Sequence, residues 1–266
     1  MEVVALSSPT LYDKFSQNYD LFISWESRLE DETPFFEEVF AENGVESVLD
    51  VGCGTGVHSI MFARWGLTVA GADVSQPMID RAKRNADEAR VKVRFVKANF
   101  EQLGNKFKKP FDAITCLGNS LPHVLTDREL TATMESFASV LRPGGVLVIH
   151  NLNYDRLAGL KQRFLNPKHA HRDGRDFIFL RFFDFPCRYN TDPLQLWTFN
   201  VVTLMREDKQ WRLHMDATEH RPLRHRELRE FVSAAGFGSV RAYGNYQQER
   251  FRKDSDLLLM VAKKKG

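Results

Sequence analysis

Two periods of apolar spacing alternate along this chain, and the switches between them mark its elements. Within 47–51, Val48, Leu49 and Val51 are aliphatic, which predicts a buried strand, and from Ser59 to Trp65 the apolar positions recur at helical spacing. The alternation continues to about residue 150. It predicts a second strand over 67–73, a helix with Ser75 as N-cap and Pro77 in its first turn, and a third strand over 91–96. A fourth strand over 111–117, a helix over 127–141, the turn Arg142-Pro143-Gly144-Gly145 and a fifth strand over 146–150 follow. Strands and helices in alternation with short connections imply an α/β fold built on a parallel, doubly wound sheet. Near the end, an amphipathic helix over 223–235 stopped by Gly236, a strand over 238–243 and an apolar strand over 256–263 complete it.

Two regions break the alternation. Residues 1–46 read as a helical cap: Tyr12, Phe15, Tyr19, Phe22 and Trp25 recur at three- and four-residue spacing, and Pro34 is expected to start a separate helix over 35–43 that Gly44 closes. Residues 158–221 change to strand periodicity. There Phe177, Phe179, Phe183 and Phe185 share one face, and 194–205 and 210–218 read as two further strands. An antiparallel insert of three strands is expected to hang over the carboxyl edge of the sheet as a lid. The domain plan is a cap (1–46), a core (47–157 and 222–266) and the insertion (158–221).

Composition narrows the partners. A chain of 266 residues can bury one good core, and a net charge of +2 gives little electrostatic reason to expect nucleic acid. Lys263-Lys264-Lys265 reads as a solvated end. No apolar run approaches the ~18 residues of a membrane span and no leader pattern opens the chain, so no membrane partner is expected. Cys53, Cys116 and Cys187 are scattered and odd in number, which implies a reducing, cytoplasmic setting without disulfides or a zinc knuckle. His169 and His171 lack the partners of a metal site, and no metal is expected.

The candidate chemistry begins in the loop after the first strand, Asp50-Val51-Gly52-Cys53-Gly54-Thr55-Gly56. Its glycines let the backbone turn sharply and approach a ligand, and the helix that follows offers unpaired N–H groups, so this is a nucleotide-type cradle. Val57 breaks the dinucleotide spacing G-x-G-x-x-G, which sets nicotinamide redox chemistry aside. Asp73 closes the second strand beside the loop, where its carboxylate can accept from two ribose hydroxyls. Gly118-Asn119-Ser120 lies at the end of the fourth strand, in the crevice where such sheets bind ligands.

An acidic residue before G-x-G-x-G, an acid closing the second strand and the Pro-Gly-Gly turn resemble the class I S-adenosylmethionine (SAM) dependent methyltransferases. Cys116-Leu117-Gly118-Asn119-Ser120 with His123, and Asn153-Tyr154-Asp155, are similar to the glycine N-methyltransferase and glycine/sarcosine methyltransferase group. The resemblance implies a Rossmann-like, seven-stranded mixed sheet whose last strand runs antiparallel between strands 5 and 6. It also implies SAM as methyl donor, with S-adenosylhomocysteine as product. The cofactor-binding positions are then Asp50, Gly52, Cys53 and Gly54 in the loop, Asp73 and Val74 after the second strand, Met78, Asn99 and Phe100 around the adenine, and Leu117 and Gly118. Tyr12, Tyr19 or Trp25 would cover the cationic sulfonium, and Arg28 would pair with the methionine carboxylate. Asn119 and Tyr154 are expected to orient the acceptor, and His123 is the nearby group with a pKa suited to a base. One position departs from the group: where an arginine precedes Asn-Tyr-Asp and grips the substrate carboxylate, this chain has Leu152. Arg181 and Arg188 of the insertion are the alternatives.

The resulting expectation is methyl transfer to a small-molecule acceptor, at an amine nitrogen, driven by positioning. Methylation of RNA or protein is the alternative, opposed by the near-neutral charge and by the absence of an Asn/Asp-Pro-Pro-aromatic run after the fourth strand. Binding of SAM without catalysis is the other. The oligomeric state stays open.

Overall fold

The computed structural model describes residues 13, 19–23, 25–185 and 196–266. The expectations for Tyr12, Phe15, Cys187, Arg188 and a strand start at 194 lie outside these residues, as does the side chain of Phe22. Eight helices are described: α1 (Tyr19–Phe22), α2 (Trp25–Asn43), α3 (Val57–Arg64), α4 (Gln76–Glu88), α5 (Leu103–Lys106), α6 (Asp127–Ser139), α7 (Tyr154–Gly159) and α8 (His225–Ala234). None is long and apolar enough to cross a membrane.

The main sheet has seven strands: β1 (Ser47–Val51), β2 (Thr68–Asp73), β3 (Arg94–Lys97), β4 (Phe111–Cys116), β5 (Leu141–Leu152), β10 (Phe237–Tyr243) and β11 (Leu257–Lys264). Their order is β10-β11-β5-β4-β1-β2-β3. β1 pairs parallel with both β2 and β4, whereas β11 runs antiparallel to β5 and β10, as expected of the last strand. Strand order therefore reverses beside β1, and the crevice beyond the carboxyl ends of β1 and β4 is the place for a ligand.

Burial on both faces explains the near-continuous aliphatic strands. Along β1, Leu49 and Val51 face Leu130, Met134 and Phe137 of α6, while Val48 faces Phe36 and Phe40 of α2 and Phe62 of α3. Local signals set the helix starts. Ser75 accepts from Met78 N at 3.3 Å to open α4, and Thr126 and Glu129 form a reciprocal cap on α6.

Pro34 does not start a helix; it lies inside α2. Its local cost, about 3 kcal/mol, is offset because both halves of α2 are anchored: Glu32 pairs with Arg28 and His58, and Phe35, Phe36, Val39 and Phe40 are buried. The Arg-Pro-Gly-Gly stretch is likewise no separate turn. It belongs to β5, where a register shift on β4 between Phe111 and Ala113 absorbs it, and a Cβ on Gly145 would come within 2.9 Å of the Asp112 carbonyl. Other ends move by one to three residues: α3 begins at Val57, β3 covers only Arg94–Lys97, α6 stops at Ser139 and α8 begins at His225.

The second sheet has four strands rather than three: β6 (Phe164–Arg172), β7 (Arg175–Asp184), β8 (Trp197–Glu207) and β9 (Gln210–His220), antiparallel in that order. β6 escapes the sequence pattern because its middle, Asn166 to His169, is polar and contains Pro167, which an edge strand tolerates. The shared face of Phe177, Phe179, Phe183 and Phe185 exists, and it packs with Trp197, Phe199 and Tyr154. Leu152, at the carboxyl end of β5, and Tyr19 also pack there, and Arg221 N donates to Pro122 O at 2.7 Å just beyond β9. The second sheet thus closes over the crevice of the first.

Candidate active site

The glycine loop is held from behind by Asp50. Its carboxylate is buried, which raises its pKa, and it accepts from Ser59 Oγ at 2.7 Å and Thr115 Oγ1 at 3.0 Å, tying β1 to α3 and β4. Gly52 and Gly54 take φ of +68° and +54°, in the left-handed region that glycine enters without strain. Gly54 N then donates to Asp73 Oδ2 and Ser75 N to Asp73 Oδ1, each at 2.9 Å. Each carboxylate oxygen keeps a lone pair for another donor. Burial pushes the Asp73 pKa up to about 6 despite these bonds.

A cavity of about 360 Å³ opens on this loop. Ten of the residues expected at the cofactor or reacting centre line it: Tyr19, Gly52, Gly54, Asp73 and Val74 at one end, and Met78, Asn99, Phe100, Gly118 and His123. Ser120, Leu125, Glu129 and Thr133 line it too, although only Ser120 stood in a stretch the sequence marked out. The donor set fits a nucleoside with a methionine tail. A carboxylate with free lone pairs suits a ribose diol, an asparagine amide beside Met78 and Phe100 suits an adenine, and the glycine backbone allows close approach. A Cβ on Gly52 would lie 2.9 Å from Ser120, so the loops after β1 and β4 leave no room for one.

Other expected residues sit elsewhere. The Cys53 thiol is buried with its pKa pushed well up, and Leu117 is buried in the core cluster of α2 and α3. Trp25 turns away from the cavity: its Nε1 donates to Asp20 Oδ1 at 3.1 Å, and its ring meets His58 edge-on at 5.7 Å. Of the three aromatic residues expected over the sulfonium, Tyr19 lines the cavity, Trp25 does not, and Tyr12 lies outside the described residues.

A second cavity, of about 380 Å³, adjoins the first, and Tyr19 and Gly118 line both. Its walls come from α2 (Arg28, Asp31, Glu32), from β5 and the loop after β4 (His150, Leu152, Asn119), and from the second sheet (Leu165, Lys168, Arg181, Phe199, Val201, His220). Arg28 Nε donates to Glu32 at 2.5 Å, and Glu32 is 2.6 Å from His58 Nε2, which holds its pKa well below the usual carboxylate range. His150 is buried, which lowers its pKa to about 3, and its Nδ1 lies 2.8 Å from Tyr246 Oη.

Asn119 takes φ of +66°, which asparagine tolerates, and both ends of its amide are engaged. Oδ1 accepts from Leu152 N at 3.0 Å and Nδ2 donates to Tyr154 Oη at 3.1 Å, and Tyr154 Oη lies 3.0 Å from His220 Nδ1. Tyr154 is wholly buried and stands behind Asn119. The His123 ring meets that of His220 edge-on at 4.4 Å and shares a hydrogen bond with the Glu219 main chain. Burial lowers the His123 pKa to about 4, below the range expected of a base titrating near neutrality.

Comparison with known proteins gives a consistent picture. A family model described as a methyltransferase domain matches residues 48–145. The chain is 30% identical over 250 residues to the glycine/sarcosine N-methyltransferase of Aphanothece halophytica, covering 94% of this chain and 88% of that protein. It is 30% identical over 253 residues to the protein of the same description from Parasynechococcus marenigrum, covering 95% and 83%. Among solved structures, an S-adenosylmethionine-dependent methyltransferase from Clostridium acetobutylicum superposes with a TM-score of 0.76 at 19% identity, covering 96% of this chain and 100% of that one.

Proposed function

We propose, for a chain that belongs to the SAM-dependent methyltransferases and within them to the family of the glycine/sarcosine N-methyltransferases, that it methylates a small amine seated in the second cavity. The observation that carries this reading is the pair of cavities of similar volume meeting at Tyr19 and Gly118. SAM, when bound, supplies an activated methyl group and leaves as S-adenosylhomocysteine.

In this reading Asp73 accepts from the ribose diol, Asn99 reads the adenine edge, and Met78 and Phe100 flank the base. The Tyr19 ring stands at the junction, where an aromatic face favours a cation and excludes water. Arg28, its Nε engaged by Glu32 and one terminal nitrogen 3.4 Å from His150 Nδ1, turns its guanidinium fork to the methionine carboxylate. Asn119 and Tyr154 act as positioning residues: their hydrogen bonds hold the loop that carries Gly118 against the end of β5. The amine attacks with its own lone pair, so the nitrogen–carbon bond forms as the carbon–sulfur bond breaks, and the extra proton on nitrogen leaves afterwards. Charge is conserved in this transfer. The chain therefore needs alignment more than a strong base, and His123 and His150, both held neutral, fit that requirement.

The test is S-adenosylhomocysteine release with glycine, sarcosine and a series of small primary and secondary amines, alongside SAM binding measured calorimetrically. Turnover with an amine supports the reading. SAM binding without turnover on any amine, combined with methylation of RNA or protein, refutes it.

A further inference from the structure

A single helical turn does not repay its own nucleation, so the position of α1 is set by what its side chains hold. They reach in different directions. The Tyr19 ring lies over the glycine loop, where a Cβ on Gly54 would meet it at 3.5 Å, and it lines both cavities. Leu21 packs with the aromatic cluster of the second sheet, and Ile23, just after the helix, lines the second cavity. α1 therefore bridges the second sheet and the glycine loop where the two cavities meet.

Asp20 makes the polar part of that bridge. Its Oδ1 accepts from Thr55 Oγ1 at 2.6 Å and from Trp25 Nε1 at 3.1 Å, and its Oδ2 accepts from Arg81 Nε at 3.2 Å, with Asn85 Nδ2 at 3.5 Å. The glycine loop, α2 and α4 thus converge on one carboxylate. Thr55 is wholly buried in the middle of Gly54-Thr55-Gly56, and its carbonyl accepts from Asn85 Nδ2 at 2.9 Å, so the loop is pinned at the residue that Asp20 grips. Hydrogen bonds to an ionised acceptor are the strong ones, and the Asp20 side chain is only 22% exposed. This ring of donors also accounts for Trp25, whose indole N–H is engaged here rather than in the first cavity. Neither Asp20 nor Thr55 stood among the expected cofactor-binding positions.

Resting on the reading of Tyr19 as the residue where donor and acceptor meet, we propose that Asp20 is a positioning residue: it latches α1 to Thr55 of the glycine loop and thereby holds the Tyr19 ring over the reacting centre. The link is short, since latch and ring sit on adjacent residues and Ile23 N closes the turn on Tyr19 O at 3.2 Å. With the latch made, the ring excludes water and confines donor and acceptor to a near-attack arrangement. With it broken, Asp73 still accepts from Gly54 N and the cofactor still binds, but the ring above it loosens.

The experiment compares wild type, Asp20→Ala, Thr55→Val and Thr55→Ser, each held well below its melting temperature. Two rates are read: dissociation of S-adenosylhomocysteine by stopped flow, which needs no acceptor, and methyl transfer to the preferred small amine in a single turnover at saturating SAM. Asp20→Ala and Thr55→Val should each speed dissociation about tenfold and slow transfer about ten- to a hundredfold, while Thr55→Ser, which keeps the hydroxyl, restores both rates. Because Asp20 acts through the ring, Tyr19→Ala should show the same defects, and adding Asp20→Ala to it should change neither rate further. Wild-type rates in Asp20→Ala and Thr55→Val, equal losses in Thr55→Ser and Thr55→Val, or losses of Asp20→Ala and Tyr19→Ala that multiply would overturn the latch. Dissociation that depends on Asp20 in a protein that methylates no amine would leave the latch standing and refute the transfer reading instead. Should Asp20→Ala not fold, Thr55→Val against Thr55→Ser carries the same comparison.

Discussion

Asp73→Asn isolates the contact on which cofactor recognition is proposed to rest. Burial raises the Asp73 pKa from 3.8 to about 6, and at about 1.4 kcal/mol per pH unit the buried charge costs about 3 kcal/mol before any ligand arrives. Two ribose hydroxyls donating to a carboxylate contribute about 1.5–3 kcal/mol each, so the bound cofactor repays that cost and holds Asp73 ionised. An asparagine has one acceptor oxygen where Gly54 N and Ser75 N now use two, and its amide NH₂ must face one of those donors. The loss should be about 3 kcal/mol, or about a hundredfold in Kd for S-adenosylhomocysteine, measured by calorimetry at pH 7.5. The pH dependence follows the same linkage. The ligand prefers ionised Asp73, so wild-type affinity is full above pH 6 and falls about tenfold per unit as pH drops below the free-site pKa, whereas the asparagine variant stays flat. Equal affinities at pH 7.5, or a wild-type curve flat from pH 5 to 7, would refute the reasoning.

Three further outcomes are expected. Glu32→Gln breaks a buried pairing with Arg28 and His58 and should cost about 3–5 kcal/mol in urea unfolding at pH 7. Because the Glu32 pKa is depressed in the fold, that stability is present above its unfolded value of about 4.3 and is lost as pH falls, so the gap between wild type and variant should narrow below pH 4. Gly56→Ala places a Cβ 2.8 Å from Phe95 and 2.9 Å from Ala82 at φ of +84°; strain of about 1–2 kcal/mol and overpacking of about 1–3 should lower the melting temperature by several degrees. His123→Ala should leave the shape of the pH–rate profile between pH 6 and 9 unchanged, since the ring is already neutral there, and a limb near 6.5 that vanishes in the variant would show the opposite.

The main sheet and the glycine loop were legible in the sequence because their causes are local. A run such as Val48-Leu49-Asp50-Val51 suits a strand buried on both faces, glycines at positive φ announce the turn, and Ser75 caps the helix that follows from its own side chain. Asp73 was legible for the same reason, standing at the end of a strand whose neighbour carries the loop. Other features depend on partners far away in the chain. α2 runs through Pro34 because distant residues bury and pair both its halves, and Trp25 turns from the cavity to an Asp20 hydrogen bond that no spacing announces. β6 carries no apolar alternation, yet its neighbour β7 makes it a strand. The titration of His123 is set by the walls that β9 and the loop after β4 build around it. Lys168 and Arg181, 13 positions apart, share one face only because a bulge adds a residue to β6. Sequence thus determined the elements whose hydrogen bonding and steric needs close within a few residues, while the tertiary structure decided burial, charge environment and the facing of side chains, which depend on what packs across the gap.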